Sequence, residues 1–411
     1  MRNSSSALKR PNRPNRIEHP ESNQQNQASN PQPKLGVGTI DHTIFLVVAI
    51  LTLFGIMMVF SASYVVTGRS ARYEFDTFFY LRRHAVIAAL GFGVMYVAAN
   101  FKYRYLKRFA MPLYLASIAL LLFTFFLGPT IGGARRWLPL PIAGQFQPSE
   151  IAKVAIILVL ARVLSRNRDI LDKWPGFLFC SAIVGIMAVF VALGGLSTAI
   201  IIGIIGGGML FMASPYILRF MVAGVTAVAG MLGYLYVMAY RSYLLPEAIG
   251  GAFRGGRFLA WRDPFSDMTG YGFQIVQSLY AIASGGLFGL GIGQSRQKTF
   301  LPEVHNDVIF SVVAEELGFV GAGIILLLFS ILVWRGLKIA MNAPDSFGAL
   351  VAVGIILMIA SQVIINVAVV TNSIPNTGIP LPFISYGGTA LVVSMGCMGI
   401  LLNISRHSKV K

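Results

Sequence analysis

An all-α, polytopic membrane fold is what this sequence predicts, on three observations. The 411-residue chain is 55% hydrophobic and only 12% charged, where a soluble domain carries about 25% charged residues. Its mean hydropathy is +0.70. Apolar runs of about 20 residues recur along it, the length that crosses a hydrocarbon core of about 30 Å. A multi-pass protein of the cytoplasmic (inner) membrane is expected, in contact with membrane lipid and without a nucleic-acid partner.

The elements follow in order. Residues 1–41 are a tail rich in Asn, Pro, Gln and Ser, "MRNSSSALKRPNRPNRIEHPESNQQNQASNPQPK" over most of its length. It cannot bury enough apolar surface to fold and is expected to be a disordered cytoplasmic segment. It also argues against a cleavable signal, because the first apolar run is too long and too far from the start. A transmembrane domain is expected over 42–406. Its ten spans are read at 42–66, 83–100, 110–128, 149–165, 175–193, 195–213, 218–240, 308–334, 346–370 and 386–404. Residues 241–307 form a large Gly-rich loop between the seventh and eighth spans, and 407–411 a short tail. With both termini cytoplasmic, most Lys and Arg fall on the cytoplasmic side, as the positive-inside rule requires. The large loop is then extracytoplasmic. Cys180 and Cys397 lie within apolar runs without metal-ligand spacing, and read as small core residues.

Charges within spans are costly and mark functional or paired residues. Here they include Glu150, Lys153, Glu315 and Glu316. Lys153 follows Glu150 by three residues, on one helical face. It is expected to pair with Glu315 or Glu316, with Glu150, or with both. Such a network either fixes helix packing or serves an active site.

The stretch "FLPEVHNDVIFSVVAEELGF" (300–319) holds four of the sixteen acidic residues. Asn306 or Asp307 could cap the helix that starts there. Alternatively, Asp307 is a catalytic carboxylate at the outer surface, ionised by the helix N-terminus and ready to accept a proton. The preceding stretch interleaves Arg254, Arg257, Arg262, Arg296 and Lys298 with aromatics and glycines. Cations on the outer side suit an anionic group at headgroup level, such as a lipid diphosphate. Arg136, in the short outer loop 128–150, and His305 join them as binding candidates. Gly285, Gly286, Gly289, Gly291 and Gly293 would let backbone approach a ligand, or would serve helix packing. The Pro-rich segment "NSIPNTGIPLPFISYGGTA" (372–390) is irregular backbone, tolerated at membrane depth only when buried in protein or lining a cavity.

Three stretches carry a resemblance: "GGARRWLPLPIAGQFQPSEIAK", "DPFSDMTGYGFQIVQSLYAIASGGLFGLGIGQSRQKTFLPEVHNDVIFSVVAEELG" and "IPNTGIPLPFISYGGTA". Over about 42–406 the chain resembles the SEDS family, which contains the division protein FtsW, the elongation protein RodA and sporulation relatives. The resemblance implies ten transmembrane helices and a peptidoglycan glycosyltransferase that polymerises lipid II. It implies a class B penicillin-binding protein as transpeptidase partner, with other divisome membrane proteins nearby. The aspartate of the family's "H-x-D" motif is Asp307, expected to be the general base. Glu150 and Lys153 match the polar pair of the fourth helix, and Glu315 and Glu316 the "EE-G" motif. The reaction implied is attack of a GlcNAc 4-hydroxyl on a MurNAc anomeric carbon, with undecaprenyl diphosphate leaving. The basic residues would steady that diphosphate. A divalent cation, Mg²⁺ or Mn²⁺, could share the task, and no ligand cluster in the sequence fixes a place for one.

Two positions depart from the family pattern. Gly195 stands where an acidic residue is expected, and His84 where Gln is common. Rival functions are a lipid II flippase, which would need a pathway to the cytoplasmic side and no base, and a scaffold that only recruits the transpeptidase. The long tail and "LPFISYGG" are closer to the division members, and "TGIPLP" to the elongation members.

Overall fold

The structure is a computed structural model and describes residues 40–69, 71–130, 135–140, 144–214, 216–240, 251–301 and 304–408. The polar-tail expectation for 1–39 and Glu303 lie outside the described residues. Among the described residues there are twelve α-helices: α1 (His42–Arg69), α2 (Phe79–Asn100), α3 (Leu106–Leu127), α4 (Pro148–Arg166), α5 (Trp174–Gly194), α6 (Leu196–Ala213), α7 (Ile217–Tyr240), α8 (Gly251–Arg262), α9 (Phe273–Gly285), α10 (Ile309–Met341), α11 (Ser346–Val370) and α12 (Gly388–His407). A helix lies at each of the ten predicted spans. Eight of the helices, α1, α2, α3, α5, α6, α10, α11 and α12, are long and apolar enough to cross a membrane among the described residues. α4 carries Glu150, Lys153, Arg162 and Arg166 within its 19 residues, and only Ile217–Thr226 of α7 is recorded as an apolar stretch.

Local chemistry sets several boundaries. Pro148 opens α4, where its missing N–H costs nothing. Asp345 caps α11 by accepting a 2.7 Å bond from the Gly348 N–H. α11 is the most enclosed of the candidate spans and packs on α4, α6 and α10. α2 and α12 lie against each other, with Gly91 facing Met395 and Gly399 facing the Met95 backbone. Small residues of this kind let helix backbones approach closely where lipid removes the hydrophobic drive. Large apolar side chains such as Leu53, Val86, Phe126 and Val189 point outward, as a hydrocarbon surround allows.

Two stretches read as loops are more ordered than expected. Within 128–150, β1 (Leu138–Leu140) pairs antiparallel with β2 (Gly144–Phe146), Leu138 opposite Phe146. The hairpin's exit is tied to the start of α12 by Gln147 N–H to Thr389 Oγ1 (3.3 Å) and Thr389 Oγ1 to the Gln145 carbonyl (3.0 Å). Within 241–307, between the seventh and eighth predicted spans, lie the short helices α8 and α9. α9 buries Ile275, Val276, Ser278 and Ala281, a one-sided stripe against α10. At 13 residues it is too short to read as a span.

α10 is broken at Gly318, whose φ of 70° and ψ of −171° suit glycine almost alone. The turn after α9 fills the break. Leu290 and Gly291 donate to the carbonyls of Glu315 and Glu316 at 3.0 and 2.9 Å. Phe319 and Val320 donate back to Gly286 and Leu287 at 2.9 and 3.1 Å. The backbone groups freed by the break are thus satisfied within the protein. A Cβ at Gly289 would collide with the Glu316 carbonyl, and one at Gly285 with that of Ala314. Gly285 and Gly289 thus serve the close approach of backbone to α10, the packing alternative of the expectation.

Candidate active site around Asp307

Asp307 lies two residues before α10. The N-cap of that helix is Val308, and it makes no side-chain capping bond. The expectation that Asn306 or Asp307 caps the helix is therefore not met, and the Asp307 carboxylate is turned to other partners. Gln274 on α9 donates from Nε2 to Asp307 Oδ1 at 3.5 Å. The other oxygen, Oδ2, faces Gly378, where a Cβ would sit 3.7 Å from it and 3.9 Å from an Arg136 terminal nitrogen. Arg257 on α8 completes the group. Burial pushes its guanidinium below the usual range, and Arg136 adds to this as a like charge, while Asp307 and Tyr271 act the other way. One half-buried carboxylate and two arginines thus converge from three separate stretches of chain.

The frame behind them is made of amides and backbone. Asn366, 1% exposed on α11, donates from Nδ2 to the Asp307 carbonyl (2.7 Å) and to the Ile379 carbonyl (2.8 Å). Asn376 donates from Nδ2 to Gln274 Oε1 at 2.7 Å and accepts the Gly378 N–H at 3.1 Å. Trp261 donates from Nε1 to the Asn372 carbonyl at 3.1 Å, tying α8 and its Arg257 to the same segment. Ser197, at the start of α6, donates to the Thr377 carbonyl at 3.0 Å. At the departure noted beside it, a Cβ on Gly195 would meet only Thr198 Oγ1, at 4.0 Å. The position has room for the missing side chain.

Of the predicted binding residues, Arg136 and Arg257 are brought to Asp307. Arg262 and Arg296 are exposed. The Arg254 side chain lies outside the described residues. Lys298 is a correction: it is 3% exposed and bound to Glu316 at 3.3 Å and to the Gly293 carbonyl at 2.5 Å. A cation so enclosed is spent on its partners. His305 is a second correction. Its ring is buried and packs 4.0 Å from Tyr80 and 5.4 Å from Tyr386, centroid to centroid. Burial, with a smaller contribution from His84, pushes its imidazole down to about 4. It walls the site as a neutral aromatic group.

The intramembrane charges form two separate pairs. Lys153 binds Glu150 at 2.9 Å, as one branch of the expectation had it. Glu315 and Glu316 do not join them. Glu315 accepts from Ser295 Oγ (2.5 Å), the Arg296 N–H (2.9 Å) and Ser284 Oγ (3.3 Å). Glu316 accepts from Ser61 on α1 at 2.6 Å and pairs with Lys298. Among the described residues, no three His, Cys, Asp or Glu side chains group as a metal site.

A polytopic helical membrane protein with a carboxylate and two arginines gathered beyond its spanning helices is the class defined by these features. Within that class, the chain belongs to the FtsW/RodA/SpoVE family, described as cell cycle proteins, whose pattern matches residues 41–410. It is 39% identical over 374 residues to the "Probable peptidoglycan glycosyltransferase FtsW" of Geobacter sp. (strain M18), covering 90% of this chain and 97% of that one. It is 39% identical over 375 residues to the Stage V sporulation protein E of Bacillus subtilis (strain 168), covering 90% and 98%. Among solved structures, it resembles a chain from a study of polymerization and crosslinking by a peptidoglycan synthase complex, with a TM-score of 0.70, 27% identity and coverage of 89% and 98%. It also resembles the rod shape determining protein RodA of Thermus thermophilus, with a TM-score of 0.63, 26% identity and coverage of 90% and 98%.

Proposed function

We propose that this chain is a peptidoglycan glycosyltransferase that polymerises lipid II at the outer face of the cytoplasmic membrane, with Asp307 as general base. The observation that carries the reading is the convergence of Asp307 with Arg136 and Arg257. Asp307 takes the proton of the attacking GlcNAc 4-hydroxyl as the new glycosidic bond forms. The bond from the MurNAc anomeric carbon to the diphosphate breaks with its electrons on the leaving oxygen. Two fixed guanidiniums beside the carboxylate suit the charge that develops there. The names borne by the relatives support the chemistry.

The reading includes ten membrane spans, with α4 and α7 among them, and both termini in the cytoplasm. The pairing of Glu150 with Lys153 supports this for α4, because the pair removes much of the cost of placing either charge in hydrocarbon. A class B penicillin-binding protein is the proposed partner, supported by the likeness to a chain of a peptidoglycan synthase complex. Septal rather than elongation synthesis is favoured by the higher identity to the FtsW and sporulation relatives.

The test is lipid II polymerisation by the purified chain and its Asp307→Asn variant, each with and without the cognate transpeptidase. Glycan strands from the wild type and none from the variant are expected. Equal strands from both would mean that Asp307 is not the base. Strands from neither, with lipid II crossing a bilayer instead, would favour the flippase.

A further inference from the structure

Asp307 belongs to a closed circuit of hydrogen bonds. From its carboxylate the path runs to Gln274, on to Asn376, and from Asn376 Oδ1 to the backbone of Gly378. From the neighbouring Ile379 carbonyl it runs to Asn366 and back to the carbonyl of Asp307 itself. The circuit fixes both ends of the residue, the main chain through Asn366 and the carboxylate through Gln274. Its polarity runs one way from Gly378 through Asn376 and Gln274 to Asp307, and Asn366 donates at both of its bonds. The Gln274 carbonyl is occupied by Asn376, which leaves the Gln274 amine to face Asp307. The Asn376 carbonyl is occupied by the Gly378 N–H, which leaves its amine to face Gln274. Each amide therefore sets the orientation of the next.

The arrangement has a chemical consequence. Gln274 occupies Oδ1, and Oδ2 is the oxygen turned toward Gly378 and Arg136. A base must present one lone pair in a fixed direction to the hydroxyl it deprotonates. A neutral donor holds the carboxylate without taking its charge, as a lysine in the same place would do more strongly and at greater cost in basicity. Gly378, at φ 68°, is where the segment bends to meet the carboxylate, and a Cβ there would lie in van der Waals contact with both Asp307 and Arg136.

We infer that Gln274, Asn376 and Asn366 are positioning residues for the Asp307 carboxylate: an amide circuit that fixes the direction in which it meets the attacking hydroxyl. The inference rests on the reading of Asp307 as the base. Gln274 and Asn376 act through Asp307 and need not touch the substrate.

The experiment is the pH profile of glycan-strand formation by the full-length chain with its co-purified transpeptidase, for wild type, Asp307→Asn, Gln274→Glu, Asn376→Asp and Gln274→Leu. Thermal unfolding of each is recorded alongside. Gln274→Glu places a second carboxylate beside Asp307, which disfavours ionisation of the pair. The acid limb of its profile moves to higher pH by about one unit. Asn376→Asp is one amide further away and moves the limb in the same direction by less. Gln274→Leu lowers kcat by about tenfold to a hundredfold at unchanged KM, as misplacement of a reacting group does. Profiles of Gln274→Glu and Asn376→Asp that superimpose on wild type, beside an inactive Asp307→Asn, overturn the circuit while leaving the base in place. A fully active Asp307→Asn overturns the base, and the circuit with it. Rate losses that only follow the loss of folded protein, with unmoved pH profiles, reduce the amides to structural residues and also overturn the inference.

Discussion

Asp307 and the Glu315–Glu316 pair lie within ten residues of one another along the chain, yet the fold treats them as opposites. Glu315 and Glu316 are fully enclosed. Their oxygens accept from serine hydroxyls, backbone N–H groups and the Lys298 ammonium. These bonds tie α1 and the chain after α9 to the break in α10. Asp307 is only half-buried; a neutral amide sits on one of its oxygens, and two arginines stand nearby. A carboxylate saturated with donors is a joint, and one that keeps an oxygen turned toward cations can do chemistry. Their sequence setting does not separate them, because both are acids near an apolar run.

The comparison can be broken most directly at Asp307. Asp307→Asn keeps the shape and removes the base, so polymerisation should fall by about 10²–10⁴-fold while the thermal unfolding midpoint changes little. A large stability loss with retained specific activity would reverse the assignment.

Next comes the joint. Glu316→Gln leaves the buried Lys298 ammonium without its anion, which costs about 3–5 kcal/mol. Activity should then follow the folded fraction. Intact stability with lost polymerisation would make Glu316 part of the chemistry.

His305 sharpens the picture through pH. Its imidazole is held at about 4 in the fold, below the usual 6.5. As pH falls from 6.5, the unfolded chain gains a proton that the folded chain refuses. Stability therefore drops between pH 6.5 and 4 and levels off below, by about 3 kcal/mol in all. His305→Phe should flatten that part of the curve, read by thermal unfolding in detergent across the range.

Gly318→Ala follows, at about 1–3 kcal/mol for forcing a side chain into that backbone conformation, with a further clash against the Leu287 backbone. The smallest effects belong to the outer arginines. Arg262→Ala and Arg296→Ala remove exposed charges and should change the polymerisation rate by less than about twofold, where Arg136→Ala and Arg257→Ala each cost about 10²-fold. Equal losses at all four would mean that the whole basic surface, and not the pair beside Asp307, holds the anion.

Some of this was legible in advance. Eight of the helical ranges follow from hydropathy, since hydrocarbon demands length and apolarity of each span separately. Asp307 stood out as an acid in apolar surroundings beside cations, and Lys153 found Glu150 because three residues of helix bring them together. Gln274, Asn366 and Asn376 gave no comparable signal. They are neutral amides of a kind found on any surface, and Gln274 and Asn376 meet across 102 residues of chain. The one hint was the place of Gln274 and Asn376 within the long motifs that carried the family resemblance; Asn366 lies outside them. Lys298 misled for a related reason: a cation among glycines reads as exposed until the fold closes over it.

By itself the sequence determined that the chain is a polytopic helical membrane protein, roughly where its apolar helices lie, and that carboxylates and cations gather near 254–307, because solvation and hydrocarbon thickness act on each segment locally. Only the tertiary structure decided which cations reach Asp307, which acids are sealed, and which amides hold the base. Those outcomes depend on segments far apart in the chain arriving at one point, where burial and hydrogen-bond saturation sort chemically identical groups into joints and reactive sites.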